Sequence, residues 1–358
     1  MCRIKNLNIE ASTSHDFIKN LINKLTELQQ EYNPYIRQRF DQNIPYTYYF
    51  RGTSNYDYEL ISGIHRDQID EFNNINSWDG FKAFILSHIS KINSFYEKFS
   101  NETSNEINFL KYAYDEFQNS KIIHPPKVTE KNRLSFMQHY SIDADVKTPF
   151  IDLTKNIFIA LFFAANGNPN KDGALWLINK ESFMVHYESW YHSLEKSISL
   201  LLTRSEIDTR SDYINFINDL YHIDESYITS IINIFKNKYP DFEHLKSSEE
   251  YIPVLMEFLI KLFKIKSKEA HSIIEEKLYD GGFNERLCRQ QGLFILQSFL
   301  PICLTKEIFN SKICTYLTPP ISTPFTKIRI PKEYKKDILD FLKYSLGYNE
   351  SSLYLNRQ

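Results

Sequence analysis

The sequence predicts an α/β or α+β domain, and residues 136–176 supply the observations behind this prediction. Residues 155–165 form a nearly continuous apolar run of helical length, and a helix that is apolar on every face has to be buried. On either side lie two short apolar segments, 150–154 and 173–178, which are typical of interior strands. A strand, a buried helix and a second strand together predict the core of a domain that contains a sheet.

Composition and charge set the class of protein. The chain has 358 residues, of which 42% are hydrophobic, so it can bury a substantial core. Because its formal net charge is −3, the molecule as a whole does not attract nucleic acid, and only a local basic patch could bind it. No apolar run reaches membrane-spanning length and the first residues carry no signal peptide. The four cysteines lack C-x-x-C spacing, and no H-E-x-x-H occurs. We therefore expect a cytoplasmic protein with no membrane association and no metal site.

Amphipathic patterns flank the central segment in chain order. Apolar residues at helical spacing in 12–32 predict an N-terminal helix: Phe17, Leu21, Leu25 and Leu28. The aromatic segment 45–52 predicts a strand that carries Arg51 at its far end, followed by a turn at 52–55. Two helical stripes in 78–117 are separated at 101–105, and His88 on the first stripe is expected to be a hydrogen-bonded core histidine.

The second half of the chain is predicted to be mostly helical before it returns to the sheet. Residues 180–278 have a helical pattern throughout, which includes E-A-H-S-I-I-E-E-K-L-Y near its end. Strands are predicted at 293–299 and 326–330. A final helix is predicted to begin at Pro331 and to end at Leu346, because Gly347 is a typical C-terminal stop.

Arg51 is the first residue along the chain whose type and position suggest a role in binding. A guanidinium at the end of a strand, beside Gly52 and Thr53, is a common device for binding a phosphate or carboxylate bidentately. The alternative is an arginine that ties down a turn by donating to backbone carbonyls or to a nearby aspartate. Both interpretations stay open at the level of sequence.

Asp152 lies inside an apolar strand, where a lone carboxylate is costly unless it is paired. It is therefore either an anchor for an arginine, of which Arg51, Arg133 and Arg286 are candidates, or an active-site acid. Thr154 is expected to cap the helix that follows.

Two further positions offer polar side chains. His139, before Tyr140, can act as a general base or bind a ribose hydroxyl, or it can simply orient the loop that follows. Gln290 and Gln291 precede an apolar strand, where two amides can bind an amide or a base edge or can satisfy backbone groups.

Five motifs in order resemble the FRG domain family, which is named for a Phe-Arg-Gly motif. They are F-R-G at 50–52 with L-I-S-G-I-H-R, Q-H-Y at 138–140, T-P-F-I-D-L-T-K-N-I-F-I-A-L-F-F-A, G-A-L-W-L-I, and R-L-C-R-Q-Q-G-L-F. Under this resemblance residues 46–179 and 281–358 are the two parts of the domain. Residues 1–45 are then an N-terminal helical segment and 180–280 a helical insertion. The chain departs from the family pattern at Ser141, Pro149 and Leu153, where Gly, Arg and Trp are expected.

The layout of this family is similar to that of ADP-ribosyltransferases. The resemblance implies an α+β fold with a mixed, mostly antiparallel sheet, and NAD as a substrate. The residues it implies around NAD are Arg51, Gly52, Thr53, Tyr140, Thr154 and Arg286. The residues it implies for catalysis are Arg51, His139, Asp152, Gln290 and Gln291, with one of the two glutamines at the position of a catalytic glutamate.

Two functions stay open, because a glutamine can bind the ribose hydroxyl but cannot stabilise an oxocarbenium-like ribose as a carboxylate does. One is an NAD-using ADP-ribosyltransferase or NAD glycohydrolase that uses Asp152 or Glu285 instead. It would be a bacterial intracellular toxin or phage-defence effector, with an antitoxin or defence-system partner. It predicts that Arg51, Asp152, Thr154 and Gln290 share one cleft. The other is a non-catalytic module that binds a protein or nucleic acid.

Overall fold

The computed structural model describes residues 4–30, 46–104, 147–148, 150–183, 225–241, 273–274, 285–297, 304–305 and 324–354.

One open sheet forms the centre of the described part of the chain. Its seven strands are β1 (Lys5–Leu7), β2 (Tyr48–Thr53), β3 (Phe150–Thr154), β4 (Gly173–Asn179), β5 (Ile273–Ile274), β6 (Gly292–Leu296) and β7 (Phe325–Ile330). They run in the spatial order β1, β7, β4, β2, β3, β6 and β5. Only the pair of β1 and β7 is parallel, and every other neighbouring pair is antiparallel. The predicted mixed, mostly antiparallel sheet is thus confirmed.

The described helices lie around this sheet. They are α1 (Ser14–Gln30), α2 (Gly63–Arg66), α3 (Ile69–Asn73), α4 (Trp78–Ser104), α5 (Ile157–Ala165), α6 (Glu225–Lys238), α7 (Glu285–Arg289), α8 (Lys335–Leu346) and α9 (Glu350–Leu353). A short 3-10 turn, Lys332–Tyr334, precedes α8 and takes the place of the first α-helical turn that Pro331 predicts. None of the described helices is long and apolar enough to cross a membrane.

Each face of the sheet belongs to a different hydrophobic core cluster. Phe50, Leu175 and Ile328 pack with α1, α5 and α8 on one side, which we call the α5 face. Tyr49, Leu153 and Trp176 belong to a second core cluster on the other side. Because successive side chains of a strand alternate between faces, Arg51 projects to the side of Tyr49, which we call the Arg51 face.

The helix α5 is buried as its sequence predicts, and it lies directly on two glycines. A Cβ atom at Gly52 would be 1.8 Å from the carbonyl oxygen of Ala160, and one at Gly173 would be 2.2 Å from that of Ala164. Residues with side chains at these two positions would push the helix off the sheet. The glycine of the F-R-G motif therefore has a packing role.

The N-cap of α5 differs from the prediction. The side chain of Asn156, not that of Thr154, accepts a hydrogen bond from the amide of Phe158, at 2.9 Å. The Thr154 hydroxyl accepts from the amide of Asn156 at 3.0 Å instead, so it fixes the residue that caps the helix.

The structure differs from two other local predictions and contains one strand that was not predicted. The helix α4 runs through Ser104, so the break predicted at 101–105 does not occur before that residue. The pair Ile273–Ile274, predicted as helix, is an edge strand because its β-branched residues pair with β6. The strand β1 was not predicted, since three residues give too short a pattern, and it pairs with the distant β7.

Candidate functional site

Arg51 lies near the centre of the sheet, on a strand between β3 and β4. Its half-buried side chain donates from Nη1 to the main-chain oxygen of Asp152 at 2.7 Å. Its Nε has no hydrogen-bond partner within the part of the chain that the structure describes. Since a guanidinium has five N–H donors in a fixed fork, this arrangement anchors Arg51 through one nitrogen and leaves capacity to bind an acceptor.

The electrostatic surroundings of Arg51 are mixed. Burial lowers the pKa of Arg51, the carboxylate of Asp152 opposes this shift, and the guanidinium of Arg66 adds to it. Arginine nevertheless stays protonated at physiological pH. Arg66 is exposed at the end of α2, where its Nη2 donates to the carbonyl of Ile61 at 3.5 Å. The guanidinium of Arg66 thus repels that of Arg51, although the opposing effect of the Asp152 carboxylate is larger.

Asp152 points away from the side chain of Arg51. Its neighbours Ile151 and Leu153 belong to the core cluster of the Arg51 face. By strand alternation the Asp152 side chain projects from the α5 face. Its backbone carbonyl holds Arg51, while its carboxylate acts on Arg51 only through the electrostatic field. The structure therefore does not bring the two side chains together on one face.

Thr154 and Gln290 are both buried, and the side chain of each donates a hydrogen bond to a main-chain carbonyl elsewhere in the chain. The Thr154 hydroxyl donates to the main-chain oxygen of Gln290 at 2.6 Å. The Gln290 amide donates from Nε2 to the carbonyl of Leu353 at 3.2 Å. These bonds join the end of β3 to the turn before β6 and to the helix α9, so both side chains have structural partners.

Gln291 occupies the turn between α7 and β6. Its φ of 46° lies in the left-handed region, which is uncommon for a residue other than glycine. The turn is fixed because the Gln291 carbonyl accepts from the amide of Lys155 at 3.0 Å and its own amide donates to Cys288 at 2.9 Å. The side chain itself is exposed. Of the two glutamines, Gln291 is thus the one that faces solvent.

Arg286 belongs to a second polar cluster, together with Tyr354. Its guanidinium lies 5.0 Å from the centre of the Tyr354 ring, a cation–π contact. Burial raises the pKa of Tyr354, Arg286 opposes this shift, and the carboxylates of Glu350 and Asp152 reinforce it. The Tyr354 ring also meets Phe163 of α5, with ring centres 6.0 Å apart. Arg286 thus contacts a tyrosine that packs on α5. Tyr354 is not among the site residues that the sequence predicts.

Of the remaining predicted site residues, Gly52 and Thr53 make structural contacts, and two others lie outside the described residues. Gly52 faces the α5 backbone, as described above. Thr53 is buried, and its hydroxyl donates to the carbonyl of Asn55 at 3.1 Å, which holds the turn after β2. His139 and Tyr140 lie outside the described residues.

The prediction for His88 is confirmed. Its ring is buried and its Nδ1 lies 2.6 Å from the amide oxygen of Gln68. The ring centre of His65, also buried, is 5.1 Å away. Within the described residues, no group of three or more histidine, cysteine, aspartate or glutamate side chains has an arrangement that could hold a metal ion.

Trp176 is the residue of the Arg51 face that sequence reasoning missed. It lies directly opposite Arg51 in the pairing of β2 with β4. Its ring is fully buried, and its indole Nε1 has no hydrogen-bond partner among the described residues. The ammonium of Lys327 lies 4.5 Å from the ring centre. The apolar pattern of β4 marks Trp176 only as core, because strand register is not readable from the sequence.

Comparison with known proteins gives one match. Residues 46–173 match the family model of the FRG domain. This segment begins two residues before β2 and ends at the first residue of β4. No curated protein and no solved structure match the chain.

Proposed function

We propose that this chain, whose residues 46–173 match the FRG domain family, binds NAD through Arg51 and consumes it. The activity is that of an ADP-ribosyltransferase or an NAD glycohydrolase. The biological role we propose is that of an intracellular bacterial toxin or phage-defence effector, whose acceptor is water, a protein or a nucleic acid. An antitoxin or another component of a defence system would restrain it.

The observation that supports this proposal is the state of the Arg51 guanidinium. One nitrogen is anchored to the carbonyl of Asp152, whereas Nε has no partner within the described residues and Arg66 adds a second positive charge. A half-buried arginine that is held in place but not saturated is suited to binding an oxyanion. The diphosphate of NAD supplies such a group, and its charge would offset the repulsion between the two arginines.

The proposed reaction breaks the bond between the nicotinamide nitrogen and C1′ of the adjoining ribose. The electron pair of that bond leaves with nicotinamide, which becomes neutral, and an oxygen of water or of the acceptor bonds to C1′ and releases its proton. The developing positive charge on the ribose requires electrostatic stabilisation. Arg51 would contribute by positioning the diphosphate, since holding a substrate in a reactive geometry lowers the entropic part of the barrier.

Asp152 has the role of a positioning residue in this proposal. Its carbonyl bonds Arg51 and its carboxylate supports the positive charge of Arg51. The internal hydrogen bonds of Thr154 and Gln290 favour a bracing role for both. Gln291, with its exposed side chain, is the glutamine that remains available to bind a ribose hydroxyl.

The test compares wild-type protein with Arg51→Lys and Arg51→Ala in prolonged incubations with NAD, with and without cell lysate, and measures nicotinamide release. Arg51→Lys keeps a charge but loses the planar fork, so we expect at least a tenfold slower release, which corresponds to the loss of a charged hydrogen bond of about 1.5–3 kcal/mol. Arg289→Ala is the matched control, because Arg289 is an exposed arginine of α7 whose side chain donates to the Ser351 carbonyl. Intact NAD after incubation of the wild-type protein contradicts the proposal.

A second function is favoured by the internal hydrogen bonds of Thr154 and Gln290. If all the polar groups of the site only brace the fold, the chain is a non-catalytic module that binds a protein or nucleic acid, with residues 180–280 as the contact surface. Fluorescence anisotropy with labelled RNA and DNA oligonucleotides at two salt concentrations tests the nucleic-acid case. Binding that weakens steeply with salt supports it, because displaced counterions give such a dependence. Such binding together with stable NAD would replace the enzymatic proposal.

A further inference from the structure

We propose that the indole N–H of Trp176 is a second donor to the anion that Arg51 binds, so that these two side chains hold one phosphate group of a dinucleotide. The inference rests on the proposed function for the identity of the ligand, and it adds a residue to the site that no sequence motif assigns. It makes Trp176 a binding residue of the Arg51 face and not only a part of the core.

The register of the sheet places the two donors side by side. Arg51 and Trp176 are directly opposite in the antiparallel pair of β2 and β4. Directly opposite residues of such a pair project from the same face, with Cβ atoms roughly 4.5–5.5 Å apart. One group inserted at this position can therefore meet both side chains.

Hydrogen-bond satisfaction points to an acceptor from outside the described protein. Trp176 is fully buried, yet its Nε1 has no partner among the described residues, and the same holds for the Nε of Arg51. Buried donors in proteins are nearly always bonded, and a buried indole usually finds a partner. Two donors without acceptors, on residues that are paired across two strands, are therefore suited to sharing one bound group.

The charges around these donors favour an anion over a water molecule. The ammonium of Lys327 lies 4.5 Å from the centre of the Trp176 ring. It is fixed by the carbonyl of Tyr58 at 3.4 Å and the carboxylate of Glu59 at 3.7 Å. The guanidinium of Arg66 adds a positive charge that acts on Arg51. The carboxylates of Glu59 and Asp152 offset part of this positive charge. An anion would offset the remainder, which a water molecule cannot do.

Lys327 also acts on the indole itself. A cation above the ring face withdraws electron density from the π system, which makes the N–H a stronger donor. The ammonium contacts the ring of Tyr56 at the same distance, 4.5 Å, so it is held between two aromatic rings. This arrangement gives a buried tryptophan the capacity to bind a charged acceptor.

The chemical class of the ligand follows from the donors. Phosphate oxygens accept from a guanidinium and from an indole N–H at once, whereas a ribose or a nicotinamide ring gains nothing from two cations. We therefore expect the site to bind inorganic pyrophosphate and ADP-ribose. Nicotinamide riboside, which lacks a phosphate, should not depend on Trp176.

The experiment is isothermal titration of the full-length protein with these three probes, for the wild type, Trp176→Phe and Trp78→Phe. Trp176→Phe keeps a ring over which Lys327 can lie but removes the N–H. We expect it to weaken pyrophosphate and ADP-ribose binding roughly tenfold or more, as the loss of a hydrogen bond to a charged group does. Trp78→Phe is the matched control, since Trp78 is also buried but begins α4 and lies outside the sheet.

Two results would overturn the inference. One is equal affinity of the wild type and Trp176→Phe for both phosphate probes, and the other is failure of the wild type to bind either probe. If NAD is cleaved under the same conditions, the enzymatic function survives without this site. Conversely, a Trp176-dependent phosphate site in a protein that leaves NAD intact supports the inference and refutes the cleavage.

A second measurement covers the case in which Trp176→Phe does not fold. Of the three tryptophans of the chain, one should show an indole N–H signal that moves when pyrophosphate is added to the wild-type protein labelled with ¹⁵N-tryptophan. The variants Trp78→Phe and Trp190→Phe assign the other two signals by elimination. An unmoved Trp176 signal at saturating pyrophosphate overturns the inference.

Discussion

Replacing Gly52 with alanine tests why the F-R-G motif ends in glycine. The added Cβ would lie 1.8 Å from the Ala160 oxygen and 2.6 Å from the Ala164 nitrogen, both backbone atoms of α5. Because backbone cannot rotate away as a side chain can, the helix has to move outward by more than 1 Å to restore ordinary van der Waals contact. Overpacking of this kind costs about 1–3 kcal/mol or more.

The assay for Gly52→Ala is thermal and urea unfolding of the purified variant beside the wild type. A loss of about 2–3 kcal/mol corresponds to a melting temperature lower by roughly 4–12 °C for a domain of 150–250 residues. Gly63→Ala is the matched control, since its Cβ would have its nearest contact at 3.4 Å from a Lys147 side-chain atom. Equal stability of Gly52→Ala and the wild type would refute the packing explanation and would return Gly52 to the list of ligand-binding candidates.

Two further predictions concern hydrogen bonds of the described residues. Thr154→Val removes the hydroxyl that donates to the Gln290 carbonyl at 2.6 Å, so we expect the free energy of unfolding in urea to fall by about 1–3 kcal/mol. Thr154→Ser keeps the hydroxyl and should be close to the wild type. Equal losses in both variants would contradict this role. The pKa of Asp16 is lowered by hydrogen bonds from Thr13 and Ser12, so the stability it contributes is present above its ordinary pKa of 3.8 and is lost as the pH falls through the lowered value. Asp16→Asn should therefore be destabilised relative to the wild type by more at pH 7 than at pH 2, and an equal difference at both pH values would contradict the assignment.

Local patterns predicted the elements that lie in the middle of the sheet. The strand Phe150–Thr154 has its predicted bounds, and the apolar run that follows it is the buried helix α5. Both are strong signals, because a run of apolar residues is explicable only by burial. The helix α1 and the final helix were equally clear from their periodicity and from Gly347, whose φ of 73° ends α8.

The register and the pairing of strands could not be predicted, and the site depends on them. The proposed role of Trp176 depends on its position opposite Arg51, and these two residues are far apart in the chain. In the same way, local sequence predicts Thr154 as the helix cap because it cannot show that the Thr154 hydroxyl reaches the carbonyl of Gln290. Asp152 stands next to Arg51 in the sheet, but alternation turns its side chain to the other face.

The sequence indicates which residues of the F-R-G segment matter more reliably than it indicates what each of them does. Arg51 was recognised as a residue with binding capacity, and the structure shows a guanidinium with one fixed nitrogen and an Nε without a partner among the described residues. Gly52 and Thr53 received ligand roles by resemblance, whereas their contacts are with α5 and with the turn after β2. Packing roles of this type depend on close approaches of backbone that no residue pattern announces.

A crystal structure of the protein with bound ADP-ribose tests most directly whether the Arg51 face binds a phosphate. We predict a diphosphate oxygen within hydrogen-bonding distance of the Arg51 Nε, on the side of the sheet that carries Trp176. ADP-ribose bound elsewhere, or an Arg51 Nε bonded to another part of the protein in that structure, would contradict the proposal.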